Sequence, residues 1–189
     1  MNSDGKAAIS AALRFAAEAH DGQFRKGTRI PYLIHPLRVA KILIDYDCAN
    51  ELAIAGLLHD TVEDTDATID EIRTIFGDNV ARLVEFATEP AKLWPWEKRK
   101  QHTLHLLEAG DPDALCLSIA DKLDNIRSLR HDLARIGAKA WQRFKRPREK
   151  LMWYYQSLQR IFDARLTQPP GSILAAQFRA EVAAVFGDA

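Results

Sequence analysis

A succession of segments with helical periodicity constrains the fold of this chain more than any other feature. Apolar residues recur at helical intervals in residues 4–20, 36–46, 51–64 and 113–130, which is the spacing of one helix face. Strand-like alternation of apolar and polar residues is absent from the sequence. The pattern therefore predicts an all-α domain in which amphipathic helices pack around a shared core.

Residues that start or stop helices mark the boundaries between these segments. Residues 21–36 and 90–100 interrupt the periodicity and are predicted to be loops. Pro36 is expected at the first position of the helix that follows, and Ser172 is expected to cap the last helix. The stretch TIDE at 68–71 has the spacing of a capping box. These signals predict a chain of helices interrupted by two long loops.

Length and charge narrow the possible functions. A chain of 189 residues is long enough for a compact domain with a substantial core, and we expect residues 1–189 to form one domain. Lysines and arginines total 26, as do aspartates and glutamates, so a basic surface that would bind nucleic acid is not expected. No stretch approaches about 18 uninterrupted apolar residues, so no membrane span is expected either.

The cysteines and the N-terminus indicate a cellular compartment. Cys48 and Cys116 are far apart in sequence and form no CxxC motif, which argues against a disulfide framework and against a cysteine zinc site. Residues 1–15 lack the pattern of a secretory signal. We therefore expect a cytoplasmic protein in a reducing environment.

The segment HDTVED at residues 59–64 places one histidine and three carboxylates at the end of an apolar helix. On a continuous helix, His59 would lie one turn from Glu63, and Asp60 would lie one turn from Asp64. Carboxylates this close repel one another and are stable in the ionised form only beside a cation or strong donors. A metal site explains the pattern, and a solvated helix end also permits it.

His35 and Asp121 extend the same chemistry. His35 begins a helix after a loop rich in arginine, and Asp121 needs a partner because its helix is otherwise apolar. Asn125 and Ser128 share the helix face of Asp121. Two imidazoles and two carboxylates form a mixed ligand set that suits manganese, iron or magnesium, and ligand type alone does not choose among them. Open positions on such an ion bind water, and a bound water of lowered pKa is a nucleophile.

Three motifs resemble those of one enzyme family. RKGTRIPYLIHPLRVAKIL, GLLHDTVEDT and ADKLDNIRSL contain, in order, the histidine, the His-Asp pair and the aspartate that mark the HD metal-dependent phosphohydrolase superfamily. The finer match is to its alarmone hydrolase branch, which comprises the hydrolase domain of Rel/SpoT-type enzymes and the free-standing small alarmone hydrolases. The resemblance extends over roughly residues 7–165, and residues 166–189 are expected to add a packing helix.

This resemblance implies an HD-type helical bundle that encloses a divalent metal, usually manganese. It also implies hydrolysis of the 3′-pyrophosphate of guanosine alarmones (ppGpp and pppGpp) by a metal-activated water. Matched by position, the metal ligands are His35, His59, Asp60 and Asp121. The catalytic residues matched in the same way are Glu63, Asp64 and Asn125. The matched substrate-binding residues are Arg25, which is expected to stack on the base, and Lys26, Tyr32, Ser128 and Arg99.

One loop departs from the family pattern and leaves the substrate open. Larger family members often have Arg-Lys-Ser-Gly-Glu-Pro-Tyr, whereas residues 25–32 are RKGTRIPY. Adenosine alarmones are therefore an alternative substrate, and NADPH is another for relatives with this pocket. A general HD nucleotidase that removes phosphate from deoxynucleotides is a second class of function. A non-catalytic nucleotide sensor is a further alternative, but it would be favoured only if a ligand were missing. No synthetase motif follows the hydrolase motifs, so we expect a hydrolase without the opposing activity.

Overall fold

The computed structural model describes residues 3–89 and 93–187, and the regular structure within these ranges is helical. The helices are α1 (Ser3–Ala19), α2 (Ile34–Asp45), α3 (Asn50–Leu58), α4 (Thr61–Asp64), α5 (Ile69–Phe76), α6 (Asp78–Ala87), α7 (Trp96–Ala109), α8 (Pro112–Ile136), a 3₁₀ helix (Gly137–Arg143), α9 (Arg148–Arg165) and α10 (Gly171–Phe186). An isolated antiparallel bridge joins Phe24 and Pro31. The all-α prediction is confirmed for the described residues. None of the helices in these ranges combines the length and the apolar character that a bilayer span requires.

Helix α8 lies at the centre of the bundle. It packs against α2, α3, α6, α9 and α10, and the side chains of Ile119, Leu123 and Ile126 are fully buried. These positions repeat at intervals of four and three residues, so they form one apolar stripe along the helix. Because the stripe sets the rotation of α8, Asp121 faces α2 and meets His35 there.

A glycine at position 56 lets α2 and α3 approach each other closely. A Cβ atom on Gly56 would lie 3.0 Å from Leu43 Cδ1 and 3.2 Å from the backbone nitrogen of Ala40. Both distances are shorter than an ordinary van der Waals contact, so a larger residue would push the two helices apart. The close approach leaves the rings of His35 and His59 with their centroids 5.1 Å apart.

Some predicted helix boundaries are confirmed and others are wrong. Thr68 and Glu71 make the reciprocal hydrogen bonds of a capping box at the start of α5. Helix α2 begins at Ile34, so Pro36 is its third residue rather than its first. Ser172 lies inside the first turn of α10 and does not cap it.

The second predicted loop is shorter than expected. Helix α7 begins at Trp96, so residues 96–100 are helical and the loop prediction is wrong for them. The carbonyl of Pro95 accepts a 3.1 Å hydrogen bond from the backbone nitrogen of Arg99, which closes the first turn. Glutamate, lysine and arginine favour a helix once that turn is closed. The part of the predicted loop at 90–92 lies outside the described residues.

The last helix extends the core of the bundle. Helix α10 packs against α8 and α9, and the side chains of Leu174, Phe178 and Val182 are buried there. Phe178 makes an edge-to-face contact with Phe162 of α9, with ring centroids 5.4 Å apart. The apolar face of α10 therefore covers the side of α8 and α9 that it contacts.

Candidate metal centre

Four predicted metal ligands converge where α2, α8 and the junction of α3 with α4 meet. His35 Nε2 lies 3.5 Å from Asp60 Oδ2 and 3.2 Å from Asp121 Oδ1. His59 Nε2 lies 3.2 Å and 3.8 Å from the same two oxygens. Ligand atoms of His35, His59 and Asp121 fall within 4.8 Å of one another, and both imidazoles are almost completely buried. Asp60 Oδ2 lies beside this group, within 3.5 Å of both nitrogens.

The chain reaches this point through a turn between two short helices. The prediction of one continuous helix over residues 51–64 is wrong, because α3 ends at Leu58 and α4 begins at Thr61. The His59 ring bonds back to a carbonyl of α3, and Thr61 Oγ1 donates a 2.7 Å hydrogen bond to the Leu58 carbonyl. Side-chain bonds of this kind compete with the helical backbone bonds. His59 and Asp60 therefore come from a turn, not from adjacent columns of one helix.

Hydrogen bonds define which nitrogen of each histidine faces the centre. His59 Nδ1 donates to the Gly56 carbonyl oxygen at 2.9 Å, because a carbonyl can only accept. His35 Nδ1 donates to the carboxylate oxygen Oδ2 of Asp124 at 2.7 Å for the same reason. In the neutral form of each ring, Nε2 would therefore carry the lone pair, which is the form that binds a metal. Within the described structure, His59 Nε2 is buried and makes no hydrogen bond.

The charges around these atoms favour a cation. Burial alone would lower the pKa of His59, but the Asp60 and Asp121 carboxylates outweigh it and raise that pKa to about 9. Burial alone would raise the pKa of Asp60, but His59 and His35 hold it well below its usual range. The same negative potential would stabilise a divalent ion in place of the imidazole proton. Imidazole nitrogens and carboxylate oxygens are suitable donors for such an ion.

Neighbouring donors hold the carboxylates in place. Tyr32 Oη donates a 2.7 Å hydrogen bond to Asp60 Oδ2. Burial and the charge of Asp60 raise the pKa of Tyr32, so its hydroxyl remains protonated and able to donate. Asn125 Nδ2 donates to Asp121 Oδ1, and Lys122 Nζ donates to Asp121 Oδ2 at 2.6 Å. Both carboxylates are therefore oriented by residues outside the ligand set.

Asp64 lies beside the centre and is linked to the segment that follows α1. Its Oδ2 is 3.4 Å from the Tyr32 hydroxyl, and its backbone carbonyl accepts a 2.8 Å hydrogen bond from Gln23 Nε2. His20 Nδ1 donates to Gln23 Oε1 at 2.9 Å, and the His20 ring packs on Tyr32 with centroids 4.8 Å apart. Sequence reasoning missed His20 and Gln23, because their link to Asp64 depends on tertiary contacts.

Glu63 contacts a second cluster of charged residues. Its Oε2 accepts a 3.2 Å hydrogen bond from the backbone nitrogen of Glu89. Burial raises the pKa of Glu63, and the Glu89 carboxylate adds to that rise. Glu89 in turn pairs with Arg99 Nη1 at 3.0 Å and with Lys100. Arg99, predicted to bind substrate, is therefore connected to Glu63 through its ion pair with Glu89.

A cavity of about 30 Å³ joins this cluster to the metal centre. Its lining residues include His59 and Asp121 of the metal centre, together with Glu89 and Lys122. A space of this size is large enough for a water molecule. The cavity therefore offers a place for water next to two of the predicted ligands.

The loop before α2 brings one basic residue to the site. Arg25 Nη2 donates a 2.9 Å hydrogen bond to Asn125 Oδ1, and its guanidinium carbon lies 5.7 Å from the centroid of the Tyr32 ring. Lys26 is exposed, and Ser128 is half-buried further along α8. The structure thus joins Arg25 to the predicted catalytic asparagine and leaves Lys26 in contact with solvent.

Two residues of α8 that contact the ligands were also missed by the sequence reasoning. Asp124 is 4% exposed and accepts a hydrogen bond from His35, while Lys122 donates one to Asp121. Asp124 lies three residues after Asp121, a spacing that places both on one side of a helix. That spacing is the signal that could have identified Asp124 from the sequence.

Comparison with known proteins gives one family. The family model described as HD domain matches residues 12–149. The guanosine-3′,5′-bis(diphosphate) 3′-pyrophosphohydrolase MESH1 of Danio rerio is 36% identical over 159 residues, which cover 82% of this chain and 85% of that protein. The guanosine-3′,5′-bis(diphosphate) 3′-pyrophosphohydrolase of Aquifex aeolicus is 45% identical over 123 residues, which cover 64% of this chain. The chain spans only 18% of that longer relative.

A solved structure supports the same relationship. It is described as a metazoan ortholog of SpoT that hydrolyzes ppGpp and plays a role in starvation responses, and it is similar at a TM-score of 0.74. The two chains are 27% identical, and the match covers 93% of this chain and 95% of the other. Because the family model matches more than half of the sequence and the Danio relative aligns over most of its length, the chain belongs to the HD domain family and is a relative of the guanosine-3′,5′-bis(diphosphate) 3′-pyrophosphohydrolases.

Proposed function

We propose that the protein is a manganese-dependent hydrolase that removes the 3′-pyrophosphate from guanosine alarmones. The observation that carries the proposal is the convergence of His35, His59, Asp60 and Asp121 at one largely buried point. The HD domain implies dependence on a divalent metal, and the names of the relatives supply the substrate. Manganese is proposed because it is the usual metal of the family that the motifs resemble.

The four residues would hold the ion through two imidazole nitrogens and two carboxylate oxygens. Such an ion supplies a Lewis acid for the phosphate and a water of lowered pKa. Tyr32 keeps Asp60 in position, while Asn125 and Lys122 do the same for Asp121. The part of these three residues is therefore to orient the carboxylates before substrate binds.

Glu63 and Asp64 are the proposed partners of the attacking water. Burial moves the pKa of Glu63 upward, towards the range in which a carboxyl group both takes and returns a proton. Asp64 lies 3.4 Å from the Tyr32 hydroxyl, which also contacts the ligand Asp60. We assign proton transfer to Glu63 and orientation of the water to Asp64.

Arg25 and Asn125 are the proposed contacts for the phosphates and the base. Arg25 can exchange its 2.9 Å hydrogen bond to Asn125 Oδ1 for bonds to an anionic substrate, because a guanidinium group only donates. Asn125 cannot ionise, so it adds no repulsion to a polyphosphate. Lys26, exposed on the same loop, contributes positive charge.

The proposed place of action is the cytosol. Cys48 and Cys116 are both free thiols, and burial raises the pKa of Cys116 to about 12. A thiol with so high a pKa stays protonated and unreactive near neutral pH. Free buried thiols of this kind are typical of proteins in a reducing compartment.

A substrate panel tests the proposed reaction. Purified protein receives Mn²⁺ and, in separate reactions, guanosine alarmones, adenosine alarmones, NADPH and deoxynucleotides. The products are separated, and pyrophosphate is distinguished from orthophosphate. We expect the fastest turnover with guanosine alarmones, which should yield pyrophosphate together with GDP or GTP.

The outcomes separate the alternatives. Turnover of deoxynucleotides alone would refute the alarmone assignment. Faster turnover of adenosine alarmones would keep the reaction and refute the choice of base, which we assign to residues 25–32. The Asp121→Ala protein is the matched control, because hydrolysis that survives in it comes from a contaminating enzyme.

A further inference from the structure

A buried carboxylate contacts one of the two histidines at the ring nitrogen that does not face the centre. Asp124 Oδ2 accepts the hydrogen bond from His35 Nδ1 at 2.7 Å. Asp124 is 4% exposed and His35 is 2% exposed, so the pair lies in the interior, where α8 meets α2. The contact joins residues 89 positions apart in the sequence.

The two histidines of the centre are held by chemically different partners. A neutral carbonyl, that of Gly56, accepts the hydrogen bond from His59, whereas a carboxylate accepts the one from His35. Both partners fix the proton on Nδ1 and leave Nε2 free to bind a metal. Only the carboxylate of Asp124 adds negative charge, which makes the opposite nitrogen a more basic ligand.

The position of Asp124 is difficult to explain by stability alone. A buried carboxylate loses its hydration, and that loss must be offset by hydrogen bonds or by an opposite charge. The second oxygen of Asp124, Oδ1, lies 3.8 Å from Arg38 Nη1, and the Arg38 side chain is 55% exposed. A half-exposed guanidinium at that distance is a weak partner, so the short bond to His35 is the main interaction of the carboxylate.

We propose that Asp124 is a positioning residue that sets the metal affinity of the centre through His35. It holds the imidazole ring in the orientation in which Nε2 faces Asp60 and Asp121, and it raises the basicity of that nitrogen. Asp124 does not touch the substrate in this account. The inference rests on the metal centre proposed above.

Manganese binding to the purified, metal-free protein tests this role. The affinity for Mn²⁺ is measured by titration calorimetry, or by the resonance signal of free Mn²⁺, for the wild type, Asp124→Asn and Asp124→Leu. Asparagine retains an oxygen that accepts from His35 Nδ1 but loses the charge, and leucine loses both. We expect the affinity of Asp124→Leu to fall about 10- to 100-fold and that of Asp124→Asn to fall less.

Glu181→Leu is the matched control for the loss of an acid that joins two helices. Glu181 of α10 pairs with Arg127 at 3.3 Å and with Arg130 at 2.6 Å, both on α8. It contacts none of the four ligands, so its replacement should lower the unfolding temperature and leave the manganese affinity unchanged. A merely structural role for Asp124 would give the same result as this control.

The activity measurement provides a second readout. In the Asp124 variants, the Mn²⁺ concentration that gives half-maximal activity should rise, whereas KM for the nucleotide should stay at the wild-type value. Asp124→Asn keeps the shape of the side chain, so it remains informative if Asp124→Leu does not fold. Wild-type manganese affinity in folded Asp124→Asn and in folded Asp124→Leu would overturn the inference. Failure of the wild-type protein itself to bind Mn²⁺ would overturn the proposed metal centre instead.

Discussion

His59 Nδ1 donates a 2.9 Å hydrogen bond to the Gly56 carbonyl, and this bond links the candidate metal centre to a close approach of α3 to α2. Gly56 therefore has two effects. It allows the two helices to pack without a side chain between them, and it holds the ring of His59 with Nε2 directed to the centre. Helix packing and the orientation of the His59 ring are coupled at this position.

Gly56→Ala is expected to destabilise the fold. The added Cβ would lie 3.2 Å from the backbone nitrogen of Ala40, so α2 and α3 must move apart. Overpacking of this kind costs about 1–3 kcal/mol, and the better helix propensity of alanine returns up to about 1 kcal/mol. We expect a net loss of about 1 kcal/mol in the free energy of unfolding, measured by urea denaturation. Wild-type stability would show that the helices accommodate the methyl group.

The features that could be predicted from the sequence are local ones. The capping box at Thr68 and Glu71 lies within a single turn, so its residues and its geometry are set by neighbours in sequence. The apolar stripe of α8 follows from helical periodicity in the same way. The four candidate ligands could be named because each lies in a short motif that resembles a known family.

The features that could not be predicted depend on contacts between distant segments or on competing local bonds. The periodicity of residues 51–64 is continuous, yet the side-chain bonds of His59 and Thr61 interrupt the helix there. Asp124 and His35 are 89 residues apart, and Arg25 and Asn125 are 100 residues apart. No periodicity shows which of these side chains meet, because that depends on how α2 and the loop before it pack on α8.

Glu63→Gln is expected to separate catalysis from metal binding. Glutamine keeps the size of the side chain but cannot take a proton, and Glu63 is not one of the four ligands. Turnover should fall by about 100-fold or more, the usual contribution of a general base, while the bound manganese should remain at the wild-type level. Glu85→Gln, at an exposed position of α6, is the control and should leave both quantities unchanged. Full activity in Glu63→Gln would remove the role that we assign to Glu63.

Tyr32→Phe is expected to weaken the centre without removing a ligand. The change deletes the 2.7 Å hydrogen bond to Asp60, and a bond to a charged group contributes about 1.5–3 kcal/mol. Turnover should therefore fall about 10- to 100-fold, which steady-state kinetics at saturating manganese would measure. Tyr46→Phe, at the end of α2, is the control. Equal rates in the two variants would show that the Tyr32 hydroxyl has no particular role in the centre.

Metal binding is expected to release protons. The pKa of His59 is raised to about 9 in the metal-free protein, so the ring is largely protonated below that pH and must lose a proton before Nε2 can bind. Manganese affinity should therefore fall as the pH decreases. Proton release per ion should decline as the pH rises through about 9, where the ring is already neutral.

Titration calorimetry in two buffers with different ionisation enthalpies measures this proton release. The apparent binding heats should differ between the buffers near neutral pH and should converge at high pH. Identical heats in both buffers near neutral pH would show that no proton leaves, and they would contradict the protonated state of the metal-free imidazole.

The most direct test of the central claim measures bound manganese and released pyrophosphate in the same samples. Mn²⁺ is titrated into the metal-free wild type, into Asp121→Ala and into Asp113→Ala, which alters an exposed acid of the same helix. With ppGpp as substrate, pyrophosphate release by the wild type and by Asp113→Ala should rise with bound manganese and saturate at about one ion per chain, since three of the proposed ligands form one cluster. Asp121→Ala should bind little manganese and release no pyrophosphate. Full pyrophosphate release without bound metal, or wild-type binding and release in Asp121→Ala, would contradict the account.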